Sequence, residues 1–431
     1  MKEKEYIARL FDKTLEFGLK SKGAVLVVGP KSCGKSTTAK RQAKTIIDLT
    51  DDDTKKQQID LARASSTRFL NQGERPLLID EWQEVAFIWN SIKSEVDKSN
   101  SFGQFILTGS VTDKTLVDGE EDKSRHTGTG RIIKKVMRPM SLFESGDSSG
   151  EISLLDLKEG KFDVAVSNKT IEDYAYLICR GGWPLAINQE RDIALQQAID
   201  FYENVVTEDI FSLKDIPIRK NEQRARKLMR AYSRAVGNQT ADKVIMEDVS
   251  SSDETFDVKT FDKYMLALKR LYVVEELEAW NPNLRSKIAI REKPTRHFID
   301  PSIATSALGV GPDGLFKDMK TFGFLFESLA VRDLRIYCDT FGAQLYHYKD
   351  KLDRESDIVI HFRDGSWGLI EVKLGDQEQI NDGAANLLKI AKDIDEEKTG
   401  KPAFLMVITK NLAAIKREDG VYEIPLACLR P

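Results

Sequence analysis

Apolar positions along the 431-residue chain follow three successive rhythms. Up to about residue 150, short unbroken apolar runs alternate with stretches of helical spacing. The runs are "AVLVVG" (24–29), "TIIDLT" (45–50), "PLLIDE" (76–81) and "QFILTGS" (104–110). Unbroken apolar strands between amphipathic helices predict a parallel α/β sheet, because such a sheet is covered on both faces. From 151 to 310 helical periodicity dominates, ending in a strand-like section near 271–300. There Ala225, Leu228, Met229 and Tyr232 recur at helical spacing and would face a core. Thr260 is the expected N-cap of a later helix, and "LYVVEELEAW" the strand after it. From 311 to 431 the order reads helix, strand, strand, helix (near 378–396), strand. The segment "ESGDSSGE" (144–151) reads as a linker. The expected domains are therefore 1–150, 151–310 and 311–431, without an internal repeat.

Composition narrows the class. Charged residues make up 31% and hydrophobic residues 41%, as in water-soluble globular proteins. No apolar run reaches 18 residues, so no membrane partner is expected. The charged N-terminus "MKEKEYIARLFDKTLEFG" lacks a signal-peptide core, which makes a cytoplasmic location the expectation. Cys33, Cys179, Cys338 and Cys428 are far apart, which argues against a zinc site or a disulfide framework. A net charge of −4 gives no whole-molecule case for nucleic acid. Locally, 214–234 holds eight basic residues (from Lys214 to Arg234) against Asp215 and Glu222. Residues 284–298 add Arg285, Lys287, Arg291, Lys293 and Arg296 against Glu292.

The most specific chemistry lies in "GPKSCGKST", which follows an apolar strand and opens a helix. Gly29, Pro30, Lys31, Ser32, Cys33, Gly34, Lys35, Ser36 and Thr37 match the phosphate-binding loop G-x-x-x-x-G-K-[ST] in full. Its backbone N–H groups and the helix dipole would cradle the phosphates of ATP. Lys35 would reach the β- and γ-phosphates, and the Ser36 hydroxyl would join Mg²⁺. In "PLLIDEWQE" a buried strand would deliver Asp80 to hold Mg²⁺, and Glu81 to polarise the attacking water. Thr108 or Ser110, after the next run, would sense the γ-phosphate. Arg131 is the chosen arginine finger for a neighbouring copy's nucleotide, with Arg125 and Arg138 as alternatives; that reading makes a homo-oligomer an expected partner. The acidic run "DLTDDDTKK" (48–56) lacks the EF-hand glycine and spacing and reads as a solvated loop.

The order of "GPKSCGKST", "LLIDEWQE", "LTGS", "GTGRI" and "RPMSLFE" resembles prokaryotic AAA-type ATPases. The likeness continues through "RGGWPLAI", "YENVVTEDI", "HFIDPSIATSAL" and "FGFLFESLAVRDLR" to "ESDIVI" and "IEVKLG". It is similar to the group in which an AAA module is joined to domain of unknown function 4143. That resemblance implies a P-loop AAA-type parallel sheet, a helical winged-helix middle domain and a C-terminal restriction-endonuclease-like α/β domain of the PD-(D/E)xK kind.

Side chains on a strand alternate faces, so Glu371 and Lys373 would share one, and Asp357 on the preceding strand would join them. In the PD-(D/E)xK likeness, Asp357 and Glu371 would bind a divalent cation, Lys373 would position water, and Glu327 on an upstream helix would complete the shell. Ser356 stands where the family's proline would be. In the middle block, a strand pair after the later helix would form a wing, either contacting DNA phosphates or only packing domains together. Two readings therefore stand. One is an ATPase coupled to a DNA-binding or DNA-processing nuclease-like module. The other is a nucleotide-dependent binding switch for DNA or a protein partner, on a catalytically inactive scaffold.

Overall fold

The computed structural model describes residues 6–110, 130–213, 215–251, 253, 255–282 and 293–431. Arg125, Lys214, Arg285, Lys287, Arg291 and Glu292 lie outside the described residues. Contacts divide the chain into two compact units: Met1–Pro139 with Ala267–Tyr272, and Met140–Leu266 with Val273–Pro431.

The first unit carries the predicted parallel sheet. Strands β1 (Ala24–Val28), β2 (Thr45–Asp48), β3 (Leu77–Asp80), β4 (Phe105–Gly109) and β5 (Ile132–Val136) lie in the order β2-β3-β4-β1-β5. Every residue of β1, β3 and β4 is buried, which explains their unbroken apolar runs. Alternate residues feed two cores. Val25, Val27, Leu78 and Ile106 meet Phe11, Leu15 and Ala39 on one face. Leu26, Val28, Ile79 and Leu107 meet Phe69, Trp82, Trp89 and Ile92 on the other. The acidic run is not a loop. Asp51 N-caps the helix Asp52–Ala64 through Asp53 N, and acids in that first turn complement the helix dipole.

In the second unit, a helical region precedes a mixed sheet, as expected. Among its helices are Ile171–Arg180, Arg191–Thr207, Glu222–Arg234, Asp242–Ser250, Val258–Arg270 (as far as Leu266), Pro301–Leu308 and the long Met319–Phe341. Helix Glu222–Arg234 buries Ala225, Leu228, Met229 and Tyr232, the four positions expected from spacing. Helix Val258–Arg270 starts earlier than expected, because Asp257, not Thr260, supplies the capping oxygen to the Thr260 N–H at 2.8 Å. The strand expected after it is reduced to antiparallel bridges, Val274 to Phe298 and Leu277 to Thr295.

A short strand β6 (Ile152–Ser153) pairs with the terminal β13 (Leu429–Arg430). The main sheet runs β11-β12-β10-β9-β8-β7, with β7 (Gln344–Lys349), β8 (Glu355–His361), β9 (Trp367–Lys373), β10 (Phe404–Thr409), β11 (Ile415–Lys416) and β12 (Tyr422–Pro425). Besides β11 and β12, strand β7 is an addition to the expected order. Its "QLYHYK" is only partly buried, so it lacks the apolar run that marked its neighbours. Helix Gln377–Asp393 lays Ile380, Ala384, Leu387 and Ile390 on Val359, Leu369 and Val407.

The segment read as a linker is built into this unit. Ser148 Oγ donates to the Leu429 carbonyl at 2.7 Å, Asp147 pairs with Arg180 at 2.8 Å, and Glu144 is buried. Its small polar residues supply turn hydrogen bonds within the fold rather than a solvated tether.

Beneath it lies a buried charge network. Arg332 donates to Asp300 at 3.0 Å and to Asp333 at 2.7 Å, and all three are at most 2% exposed. Much of the remaining carboxylate capacity is taken by backbone, with Ser302 Oγ also donating to Asp300 at 2.6 Å. Gly182 N donates to Asp300 at 2.9 Å, and Leu142 N to Asp333 at 3.0 Å. Removing the guanidinium would leave two buried carboxylates unpaired. Arg332→Met should lower unfolding free energy by about 3–5 kcal/mol, read from urea denaturation. A midpoint unchanged from wild type would refute the dependence.

Candidate functional site

The phosphate-binding loop turns sharply between β1 and the helix Lys35–Gln42. Gly29 at φ 148° brings the loop against β5, where a Cβ would stand 2.1 Å from the Met137 carbonyl oxygen. Gly34 (φ 100°) and Ser32 (φ 62°) complete the turn. Cys33 Sγ donates to the Met137 carbonyl at 3.3 Å, so this buried thiol holds the loop. Arg9, which carried no sequence motif, clamps the same place. Its guanidinium donates to the carbonyls of Cys33 and Arg138, each at 2.8 Å. Lys35 Nζ donates to the carbonyls of Gly29 at 3.0 Å and Pro30 at 2.7 Å. Lys31, Pro30 and Thr37 lie in the same turn and first helical residues.

Strands β1, β3 and β4 end at one edge of the sheet, since Val28 pairs with Gly109 and Ile79 with Leu107. That edge brings together Ser36, Asp80 and Thr108. Asp80 is 1% exposed, and its Oδ1 accepts from Ser36 Oγ at 2.8 Å and from Thr108 Oγ1 at 2.5 Å. Lys40 stands 3.6 Å from its other oxygen. Glu81 follows in the left-handed region (φ 55°), where a non-glycine residue carries strain. Gln83 Nε2 donates to its carboxylate, and Gly109 leaves the room that Gln83 occupies, a Cβ there falling 2.6 Å from Gln83 Oε1. Ser110 is buried just beyond β4.

Arg131 is not at this edge. It precedes β5, whose first residue Ile132 pairs with Ala24 at the start of β1, and it bonds Asp97 at 2.6 Å. Arg138 follows the other end of β5 and is nearer the loop through its own carbonyl.

The second constellation is in the C-terminal sheet. The antiparallel register of β8 and β9, carried one residue beyond Ile358–Ile370, places Asp357 opposite Glu371. Like charges across a strand pair repel. Here Lys373 offsets them, bonding Glu371 and standing 3.6 Å from Asp357. Asp357 also accepts from Val372 N at 2.8 Å. Two residues with no sequence signal complete the arrangement. Asn386 donates to Glu371 at 2.9 Å and to the Glu355 carbonyl at 2.7 Å. Gly383 lets the helix close over Lys373, a Cβ there falling 3.3 Å from Lys373 Cε.

Glu327, on the long helix, is 8% exposed and lines a cavity of about 360 Å³ with Glu355 and Asp357. Burial, then Asp357, pushes its carboxyl well above the usual range. Burial and Asp357 likewise push Glu371 up to about 8. His297 stands 4.0 Å from Glu327, and burial holds its imidazole well below the usual range. Among the described residues, no three His, Cys, Asp or Glu side chains are arranged as a ready metal cage.

Of the basic residues in 214–234, Arg224 bonds Asp253, Arg226 bonds Glu203 and Arg234 bonds Asp248. The local positive charge read from sequence is thus partly neutralised by acids from other segments.

Without Lys373, ionising Glu371 would set it against Asp357 with no cation between them. A carboxyl whose folded pKa is raised loses stability as pH climbs from its unfolded value through its folded one. Lys373→Met should therefore cost about 3–5 kcal/mol near pH 8 and progressively less toward pH 4.5, in urea melts across that range. A loss independent of pH would contradict this charge balance.

Residues 21–145 match the family model described as an AAA domain, 171–314 that of domain of unknown function 8612, and 322–429 that of domain of unknown function 4143. No curated protein matches the chain. Among solved structures, a Walker-type ATPase of Pyrococcus abyssi is similar at 14% identity, over 71% of this chain and 97% of that one, with a TM-score of 0.41. No helix among the described residues is long and apolar enough to cross a membrane. The P-loop, Asp80 and Glu81 fall inside the first match, and Glu327, Asp357, Glu371 and Lys373 inside the last, so this one chain carries both an AAA-domain match and a match to domain of unknown function 4143.

Proposed function

We propose that the protein binds and hydrolyses ATP with Mg²⁺ at its P-loop, and that nucleotide state governs a DNA-processing module built on the C-terminal carboxylates. The observation that carries the first half is the convergence of Ser36 and Thr108 on one oxygen of Asp80. A hydroxyl and a carboxylate are hard oxygen donors and fit Mg²⁺. Mg²⁺ held there would neutralise charge on the phosphates. Lys35 would exchange the Gly29 and Pro30 carbonyls for the β- and γ-phosphates. Thr108 would keep Asp80 oriented, and Ser110 would face the γ-phosphate. Glu81, steadied by Gln83, would polarise the attacking water. Arg131, placed at the far end of its own sheet, would act only on a second copy's nucleotide, so this role requires a homo-oligomer. The working location is the cytoplasm.

For the C-terminal site, the crowding that raises Glu327 and Glu371 is the electrostatic demand a divalent cation meets. Asp357 and Glu371 would hold it, with Glu327 behind them and Lys373 turned toward water. A second reading has its own observation. Lys373 already sits between Asp357 and Glu371, and no ready cage stands among the described residues. That favours a nucleotide-dependent switch on an inactive nuclease-like scaffold.

Lys35→Ala should weaken nucleotide binding. Glu81→Gln should bind ATP as wild type does and turn over about 10²–10⁴-fold more slowly, measured by phosphate release. Wild-type turnover in Glu81→Gln would remove that residue from the chemistry. In calorimetric titration of the full chain with Mn²⁺, Asp357→Ala should lose one binding event. Identical isotherms would leave the switch as the reading.

A further inference from the structure

We infer that the helical region and the C-terminal sheet together form a track for a single strand of nucleic acid, running past Phe324 and three basic side chains to Glu327 and Asp357. This rests on reading the carboxylate cluster as a phosphodiester site. The cavity of about 360 Å³ at Glu327 and Asp357 has a larger neighbour of about 550 Å³, and Asn238 and Thr240 line both. The shared wall is fixed in place. Arg296, 5% exposed, donates from Nε and Nη2 to the Thr240 carbonyl at 3.1 and 3.0 Å. Its backbone N donates to the Asn238 carbonyl at 3.0 Å, and Gly237 N returns a bond to the Arg296 carbonyl at 2.9 Å.

The larger cavity is lined by Arg230, Arg234, Lys320 and Phe324. Arg230 donates to a neutral group, the Leu308 carbonyl, at 3.2 Å. Arg234 meets Asp248 at 3.1 Å in a solvent-exposed pair, which contributes little and is readily exchanged. The acid in this lining, Asp318, is engaged at the helix start, accepting from Thr321 N at 3.1 Å and Thr321 Oγ1 at 2.7 Å. Phe324 is half-buried, with Lys320 Nζ 6.0 Å from its ring centroid.

An aromatic face beside cations is the pairing that binds single strands, because the ring stacks on a base while the cations take its phosphates. A duplex hides its base faces and cannot use Phe324 this way. The smaller cavity repeats the pattern with Tyr348 and Lys349, whose ammonium bonds Glu355 at 2.5 Å, beside the neutral donors Asn238, Gln239 and Thr240. A free phosphate or a mononucleotide needs only one of these spaces. Two adjoining cavities, cationic at one end and carboxylate-lined at the other, suit a polymer.

The test is fluorescence anisotropy of the full chain with labelled twelve-nucleotide single strands of DNA and RNA, and a duplex control, across a salt series. Phe324→Ala should weaken the preferred single strand about five- to hundredfold, while Phe324→Trp retains affinity. Replacing Arg230, Arg234 and Lys320 together by Gln should reduce the salt slope by about 2. Urea midpoint and ATP affinity should stay at wild-type values in each. If Phe324→Ala melts early, the salt slope of the triple variant decides. No binding of either strand by the wild type, or variants that bind with wild-type affinity and slope, would overturn the inference. Cleavage of nucleic acid that ignores these variants would sink the track and spare the nuclease. Strand binding that depends on them, without any cleavage under Mg²⁺ or Mn²⁺, would do the reverse.

Discussion

The guanidinium of Arg332 lies between Asp300 and Asp333, and none of the three meets solvent appreciably. Such charges are tolerated only where every lone pair and proton has a partner. That requirement reaches far along the chain. Asp333 must receive Leu142 N, and Asp300 must receive Gly182 N. Met140 N in turn donates to the Gly182 carbonyl at 2.6 Å, and Trp183 Nε1 to Ser302 Oγ at 3.0 Å. The segments "RPMSLFE", "RGGWPLAI", "HFIDPSIATSAL" and "FGFLFESLAVRDLR" are distant in sequence, yet each supplies a partner to this network. The same long helix that carries Arg332 also carries Glu327, so the network fixes the helix on which the carboxylate site depends.

The P-loop strand and its neighbours were legible because a strand buried on both faces must be apolar throughout. The place of Asp80 and Glu81 in the fold was legible because a parallel strand delivers the residues at its C-terminal end to one edge of the sheet. Other features left no such trace. Strand β7 is half-buried and aromatic, so it shows neither an apolar run nor a clean alternation. Gly, Ser and Asp in 144–151 mark turns whether those turns are solvated or buried, and composition cannot distinguish the two. Arg9, Asn386 and Gly383 act through contacts across the fold, which local pattern does not encode. The basic stretch 214–234 was legible as charge, but not its acids, because Glu203, Asp248 and Asp253 arrive from other turns of the chain.

The two acidic centres are in different electrostatic conditions. Asp80 takes two hydroxyl donors, with Lys40 nearby, at the end of a sheet whose loop amides favour anions. Its Oδ1 is oriented by neutral hydroxyls, while Lys40 stands between it and Asp48, its register partner on β2. Glu327, Asp357 and Glu371 instead crowd one another, and burial denies water to Glu327 and Glu371. A single ammonium, Lys373, cannot satisfy three carboxylates at once. The excess must be met by protonation or by another cation, and which of the two occurs separates a neutral scaffold from a catalyst.

The carboxylate cluster is not self-contained within the sheet that bears it. Its cavity is walled in part by Gly237–Thr240, which belong to the helical region, and Arg296 pins that wall with backbone-directed bonds. A wall fixed at both ends keeps its side chains in one geometry, which a flexible tether could not. Because both regions fall in one compact unit, the helical region is part of the site's geometry rather than a separate attachment to it. The C-terminal domain taken alone would therefore lack one side of this cavity.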